Sequence, residues 1–386
     1  MPDLFHPVKV AIDGNEANCR HRVGSNVYAY EIIKAIAQIT KSKRRNFHLT
    51  ILLAQPPVKD MPAPRNGLEY KIVSPSKFWT QFALPLYLFL NHDLYDVYFT
   101  PGHYAPRITF LPNICSVMDL AFLKYPHLFK KKDLFQLERW TNYSIKKADK
   151  IIAISKFTKN EIIKYYHKKS NDIIIAQPAF AGKILNLSAT KKQKILAKFN
   201  LHSPYFLYLG TLQPRKNIIR IIDAFELFVQ KYSHLSPNKK YLLVLAGKNG
   251  WLTNEINQKI EQSSVKNQII CTGFISESQK AALLSEAIAS FNLGIYEGFG
   301  IPALESLIYQ TIPIVANNTS LPEVVGDAGF NVNPFKTKNI VKAMFCCSRM
   351  TKNQKKKFIN LANQQIKKFS YEKSANQILT ALYRLR

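Results

Sequence analysis

Cysteine is sparse in this chain, and so is negative charge. The five cysteines, at positions 19, 115, 271, 346 and 347, are odd in number and form no Cys-x-x-Cys pair. That excludes a disulfide framework and a structural zinc site, and it points to a reducing cytoplasm. No run of about 18 apolar residues occurs, so no transmembrane helix is expected. The nearest candidate, Phe78 to Leu90, is interrupted by Gln81 and Pro85 and reads as a buried or interfacial segment. The first residues, Met1-Pro2-Asp3-Leu4-Phe5-His6-Pro7, lack the basic flank and apolar centre of a secretory leader. Neither a short-period repeat nor a low-complexity tract is present. Only 25 acidic residues stand against 54 Lys and Arg in 386 residues, a formal net charge of +29. Nucleic acid, anionic lipid and phosphorylated substrates are all attracted to such a surface. The excess is steepest over 124–169, with 13 basic and 4 acidic residues, and over 336–386, with 13 and 1.

With 47% hydrophobic, 12% aromatic and 20% charged residues, the chain has a globular composition and enough length for two domains. Short β-rich runs alternate with helical patterns. Val8–Asp13 is a strand ending in an acid, followed by a glycine-bearing loop and a helix over about 26–38 with Val27, Tyr30, Ile33, Ile36 and Ala37 on one face. Further strands are expected at 49–53, 97–99, 114–117, 151–154 and 173–175. This is the βαβ rhythm of a doubly wound parallel sheet. It breaks at 177–203, a linker with one short helix, and restarts at Tyr205-Phe206-Leu207-Tyr208-Leu209-Gly210. The second set of strands is expected at 241–246, 268–271, 288–293, 312–315 and 329–332. The lysine-rich tail, 353–385, reads as helical, with one helix capping the second domain and the last crossing back to the first.

The densest chemistry lies in Glu297-Gly298-Phe299-Gly300-Ile301-Pro302-Ala303-Leu304-Glu305. A strand, a glycine loop and a helix starting near Pro302 are expected. Gly298 and Gly300 let backbone N–H groups come close to a ligand, and Pro302 suits a first helical turn. A helix N-terminus reached through glycines is an anion site, while the two carboxylates accept hydrogen bonds from hydroxyls. Phosphate on one side and polyol on the other describe a nucleotide sugar. Leu209-Gly210-Thr211-Leu212-Gln213-Pro214-Arg215-Lys216-Asn217 adds a strand end that delivers adjacent Arg and Lys to a helix start. A guanidinium fork and an ammonium point charge together hold a diphosphate and stabilise it as it leaves.

These stretches, with Leu245-Ala246-Gly247-Lys248-Asn249-Gly250-Trp251, Thr272-Gly273-Phe274, Leu321-Pro322-Glu323-Val324-Val325-Gly326-Asp327-Ala328, Asp119-Leu120-Ala121-Phe122 and Ile152-Ala153-Ile154-Ser155-Lys156-Phe157-Thr158, resemble the family 4 (group 1) retaining glycosyltransferases. The subgroup resembled is the bacterial mannosyltransferase-like enzymes of surface-polysaccharide assembly. The resemblance implies an α/β architecture of GT-B type, two Rossmann-like doubly wound parallel-sheet domains facing a central cleft. The first, over 1–180, would be the acceptor side. The second, over 181–365, would bind the nucleotide sugar, with 366–386 returning to the first.

It also implies roles. Arg215 and Lys216 would contact the donor diphosphate, and Glu297 the sugar hydroxyls beside the backbone of Gly298, Phe299, Gly300 and Ile301. Glu305 would bind the ribose, and Gly273, Phe274 and Ile275 would lie beside the base. The loop at Gly24 would face the diphosphate across the cleft. Glu323 is read as structural. Asp119 falls in a first-domain motif in which relatives usually carry His before the acid. Here Met118 stands there, and its thioether cannot donate a hydrogen bond. His103 is a further cleft candidate. A front-side displacement, with cationic help at the phosphate and no Asp-x-Asp motif, implies no metal and no cofactor beyond a GDP- or UDP-linked donor.

The resulting expectation is a cytoplasmic transferase, a candidate for peripheral attachment to the inner face of the cell membrane. It moves a hexose such as mannose to a lipid-linked or polysaccharide acceptor. An anionic membrane surface is a candidate partner, and nucleic acid is not expected. The alternative is a GT-B protein that binds donor or anionic lipid without turnover.

Overall fold

A computed structural model describes residues 6–42, 46–102, 104–232 and 240–386. The chain forms two compact units: one runs to Ala181 and also takes in Phe369–Arg386, and the other is Gly182–Lys368.

Unit one is built on a seven-stranded sheet. Its strands are β1 (Val8–Asp13), β2 (Phe47–Leu53), β3 (Leu68–Ile72), β4 (Val97–Thr100), β5 (Asn113–Val117), β6 (Lys150–Ala153) and β7 (Ile173–Ile175), in the order β3-β2-β1-β4-β5-β6-β7. Every pairing is parallel. Central strands are buried on both faces, and this is why β5 is buried along its whole length and reads as a continuous run rather than an alternation. The edge strand β3, Leu-Glu-Tyr-Lys-Ile, buries only Leu68 fully. A short, mostly polar edge carries no hydrophobic run, and the sequence reading passed over it.

The helix Ser25–Ile39 buries Tyr28, Ala29, Ile32, Ile33, Ile36 and Ala37. Against it lies the last helix, Tyr371–Leu385, whose buried face is Ala375, Ile378, Leu379 and Leu382. Tyr28 and Tyr371 meet with ring centroids 6.4 Å apart. Ser374 Oγ donates to the Gln177 carbonyl at 2.7 Å, and Arg386 donates to the His6 carbonyl at 3.0 Å.

The segment Phe78–Leu90 is both buried and bare. A π-helical turn, Trp79–Ala83, runs into the α-helix Leu84–Leu90. Its inward face, Trp79, Ala83, Leu84 and Leu88, packs with Leu52, Val73, Tyr95 and Tyr98. Its outward face carries Phe78, Phe82, Leu86, Phe89 and Leu90, all exposed.

Unit two has a six-stranded parallel sheet. Its strands are β8 (Tyr205–Leu209), β9 (Leu242–Ala246), β10 (Ile269–Gly273), β11 (Ala289–Asn292), β12 (Ile312–Ala316) and β13 (Phe330–Val332). They lie in the order β10-β9-β8-β11-β12-β13. One core of the unit packs Ile221, Ile222, Phe225 and Phe228 of the helix Ile218–Tyr232 against Phe206, Leu243 and Phe291. At the carboxyl ends of β8 and β9 the backbones nearly touch. A Cβ on Gly247 would stand 1.9 Å from the Gly210 carbonyl oxygen, and Gly247 has φ +147°, so only glycine fits.

Candidate functional site

In a doubly wound sheet, the crevice for a ligand opens where the strand order reverses, beyond the carboxyl ends of the two strands flanking that point. In unit two those strands are β8 and β11. Arg215 and Lys216 follow β8, and Glu297 follows β11.

The stretch Pro214–Lys216 forms one 3₁₀ turn, closed by Asn217 in the left-handed region at φ +61°. The Asn217 amide donates to the Pro334 carbonyl at 2.8 Å, which fixes that bend. Lys216 Nζ meets Glu297 Oε1 at 2.6 Å, with both side chains mostly buried. Arg215 donates to the Tyr296 carbonyl at 2.9 Å, and the Ile295 N–H returns a bond to the Arg215 carbonyl at 3.0 Å. The basic turn and the glutamate loop are therefore one hydrogen-bonded assembly. Gly294 leaves room for it: a Cβ there would stand 2.3 Å from Glu297 Oε1.

The loop is also held from behind. Ser320, fully buried, donates from its Oγ toward the carbonyls of Glu297 and Phe299, each at 2.8 Å. Gly300 has φ +112° and sits under Leu321, so the backbone turns sharply into the helix Ile301–Ile308. No side chain caps that helix, and Pro302 occupies its first turn. Its N-terminus thus stands beside Lys216 and Glu297, and Lys216, Gly294, Glu297, Gly300 and Pro302 line one small cavity. The combination suits an anion next to a hydroxylated group.

Glu305 lies one helical turn further in and is buried. Its Oε1 pairs with Lys280 Nζ at 2.6 Å, and Lys280 also reaches Glu277 at 2.9 Å. Burial raises the Glu305 pKa, with the Lys280 ammonium opposing it. Sequence reasoning did not find Lys280. The signal was the capping box Ser276–Gln279, which starts the helix Glu277–Glu286 and sets Lys280 one turn inside it. Before that helix, Gly273 has φ +68° and Phe274 is 82% exposed, while Ile275 packs on the core. The other residue the sequence reading missed is Ser320, which no local pattern distinguishes from an ordinary buried serine.

In unit one the order reverses between β1 and β4. Asp13 closes β1; its carboxylate accepts from the Asn15 N–H at 3.0 Å and lies 3.5 Å from the Tyr98 hydroxyl. Burial pushes its pKa up to about 7. Gly24, at φ +55°, precedes the helix Ser25–Ile39, and a Cβ there would touch nothing, so its backbone angle rather than close packing calls for glycine. Met118 is buried after β5. Asp119 accepts from the Ala121 N–H at 3.0 Å, which starts the short helix Ala121–Lys124. His103 lies outside the described residues. Glu323 sits in the short helix Leu321–Val325, where its carbonyl accepts from buried Gln365 at 2.8 Å, a structural setting. Among the described residues no group of three or more His, Cys, Asp or Glu gathers as a metal site.

Residues 190–363 match the family described as glycosyl transferases group 1. That segment holds the whole Arg215–Glu305 assembly. The chain is 27% identical to O-antigen chain mannosyltransferase B of Escherichia coli, over 74% of this chain and 73% of that protein. It is 29% identical to the serotype-specific mannosyltransferase WbdA of Escherichia coli over 65% of its own length, spanning only 32% of that longer protein. Among solved structures, Anabaena HepE in complex with UDP superposes with a TM-score of 0.68 at 15% identity, covering 98% of this chain and 100% of that one. The fold is GT-B.

Proposed function

We propose that this protein is a retaining hexosyltransferase of the family 4 type that moves mannose from a nucleoside-diphosphate sugar to a lipid-linked or saccharide acceptor. The observation that carries the reading is the Lys216–Glu297 pair, joined to Arg215 through Tyr296 and Ile295 and set beside an uncapped helix N-terminus. The group 1 match over the same residues and the relatives named as mannosyltransferases support it.

Donor phosphates take the place at the helix N-terminus, where Arg215 and Lys216 neutralise them. Lys216 then divides its charge between diphosphate and Glu297, and the Glu297 carboxylate accepts from sugar hydroxyls. Glu305 accepts from the ribose. In the reaction the bond from C1 of the sugar to the diphosphate oxygen breaks, and its electron pair leaves with the diphosphate. An oxocarbenium-like sugar is attacked on the same face by the acceptor hydroxyl. That hydroxyl passes its proton to the departing phosphate oxygen, and the same-face attack retains the configuration at C1. The two cations beside the leaving group supply the stabilisation that a metal would otherwise give, and the transfer proceeds without one. The donor is GDP- or UDP-linked, and the acceptor lies at the cytoplasmic face of an anionic membrane.

The test is a thermal-shift titration with UDP, GDP, ADP and their common sugar conjugates, in chelator, followed by donor-consumption assays. A strong shift with one base, together with transfer or donor hydrolysis, is the expected result. Absence of any shift overturns the reading.

A further inference from the structure

We propose that unit one docks on an anionic lipid bilayer through the outward face of Phe78–Leu90 and the neighbouring loop Arg107–Phe110. This deepens the reading above and rests on it only for where the acceptor lies; the docking itself does not require sugar transfer.

The helical segment 79–90 is apolar on two opposite faces. One face is consumed by packing around Trp79, Leu84 and Leu88. On the other, Phe78, Phe82, Leu86, Phe89 and Leu90 recur at helical spacing and stand in solvent, Phe82 at 68% and Leu90 at 67% exposure. A helix that is apolar all round is ordinarily covered, and a continuous exposed apolar stripe marks an interaction surface. The stripe does not end with the helix. The Phe89 ring lies 5.5 Å from that of Phe110, itself 67% exposed, with exposed Ile108 two residues before it. Phe78 and Phe82 meet edge to face at 6.3 Å. The exposed apolar residues of unit two, such as Leu252 and Phe335, come singly along the sequence instead.

Charge decides the occupant. No Asp or Glu occurs from 70 to 92 or from 97 to 118. Lys77 lies with its ammonium 5.4 Å from the Phe78 ring, and Arg107 is exposed beside the start of the same helix, where it shares a cavity wall with Thr80 and Gln81. Apolar side chains in a row, bordered by Lys77 and Arg107 and meeting an exposed acid, Asp93, only past the end of the helix, match the acyl boundary and phosphate layer of an anionic leaflet. A second copy of this chain fits poorly, because it would bring the same cationic border and another +29 charge to the contact. Phe82, Leu86, Phe89 and Phe110 would enter the headgroup region, and Lys77 and Arg107 would meet lipid phosphates.

The experiment is co-sedimentation of the full chain with vesicles of phosphatidylcholine, with and without phosphatidylglycerol, at low and high salt. The wild-type chain is expected to partition onto the phosphatidylglycerol vesicles. The triple variant Phe82→Ser, Leu86→Ser, Phe89→Ser should lose about tenfold or more of that partition. The pair Lys77→Glu, Arg107→Glu should lose its preference for the anionic vesicles, and Phe335→Ser in unit two should change nothing. All these residues are surface groups; should the triple variant nevertheless fail to fold by circular dichroism, the charge pair decides alone. Wild-type partition by the variants, or none by the wild-type chain, overturns the proposal. So does a wild-type dimer in sedimentation equilibrium that the triple variant dissolves, since the stripe would then belong to a second copy. Nucleotide thermal shifts, read in parallel, report on the donor site separately.

Discussion

The two sheets reverse their strand order in the same way, yet what stands at the reversal differs. In unit two the strand ends carry charge in partnership, Lys216 with Glu297 and, deeper, Lys280 with Glu305. In unit one the corresponding position holds Asp13, half-buried, whose neighbours are a backbone N–H, a tyrosine hydroxyl and the like charge of Glu16. A charge can stay ionised out of water only if an opposite charge or several donors meet it. Unit two keeps its ions by pairing them and so holds a charged site ready for a charged ligand. Unit one keeps a carboxyl whose pKa burial raises to about 7, so that it takes up a proton far more readily than an ordinary carboxylate. One strand end holds paired opposite charges; the other holds neighbouring carboxyls, Asp13 and Glu16.

The sharpest way to break this comparison is Lys216→Ala. On the proposed reading it removes a diphosphate contact, and it strands the Glu297 carboxylate, so kcat should fall by about 10²- to 10³-fold, measured as donor consumption at saturating donor. Lys216→Arg should recover part of it. Activity within a factor of about two of wild type would mean that the pair is merely structural.

Asp13 sharpens the comparison through pH. Its folded pKa lies near 7, above the ordinary carboxylate value, so the folded state binds the proton more tightly than the unfolded state. Stability is therefore full at acid pH and falls as pH rises from about 4 to about 7, by up to about 1.4 kcal/mol per unit. Above that window this group adds no further slope. Asp13→Asn should flatten the dependence, read as urea midpoints across the window; an unchanged slope would show that Asp13 stays ionised.

A smaller effect is expected at Glu305. Glu305→Gln should weaken nucleoside-diphosphate binding about tenfold, on the order of 1.4 kcal/mol. The loss should be much less for a deoxyribose analogue, and calorimetry on both ligands separates ribose recognition from general disturbance of the Lys280 pair. Equal losses for both would assign Glu305 to Lys280 alone. The smallest change is expected at Met118. Met118→His restores a side chain that can donate and accept, and transfer should rise on the order of a few-fold. A rise from an undetectable level would favour a donor-binding protein without turnover.

Much of this molecule could be read in its residues, and the reason is physical. β1 and β7 fall on the residues expected, because a buried parallel strand is a dense run of Val and Ile, ended here by Asp13 and Ala176. The helix Lys156–Tyr166 also starts where its cap, Ser155, says it should. β3 escaped because an edge strand exposes most of its side chains. At the site, Arg215, Lys216 and Glu297 could be singled out, since each sits next to a glycine, a proline or a helix start, and Glu305 because it lies one turn inside the helix that this glycine loop opens. That Lys216 grips Glu297 across 81 residues, or that Lys280 closes on Glu305, is written in no local pattern. Segment 78–90 was legible as apolar but not as two-faced, because hydrophobicity alone does not say which side finds a partner.

The return of Phe369–Arg386 to unit one has an outcome in time rather than space. Unit two is one uninterrupted stretch of chain, so it can acquire its complete set of strands while synthesis is still under way. Unit one cannot. Its long helix Ser25–Ile39 must wait, with Tyr28 and its neighbours uncovered, until the last residues arrive to lie against it. The part of the chain made first is thus the part finished last. A chain truncated after Lys368 should hold a folded second unit and an unfinished first one.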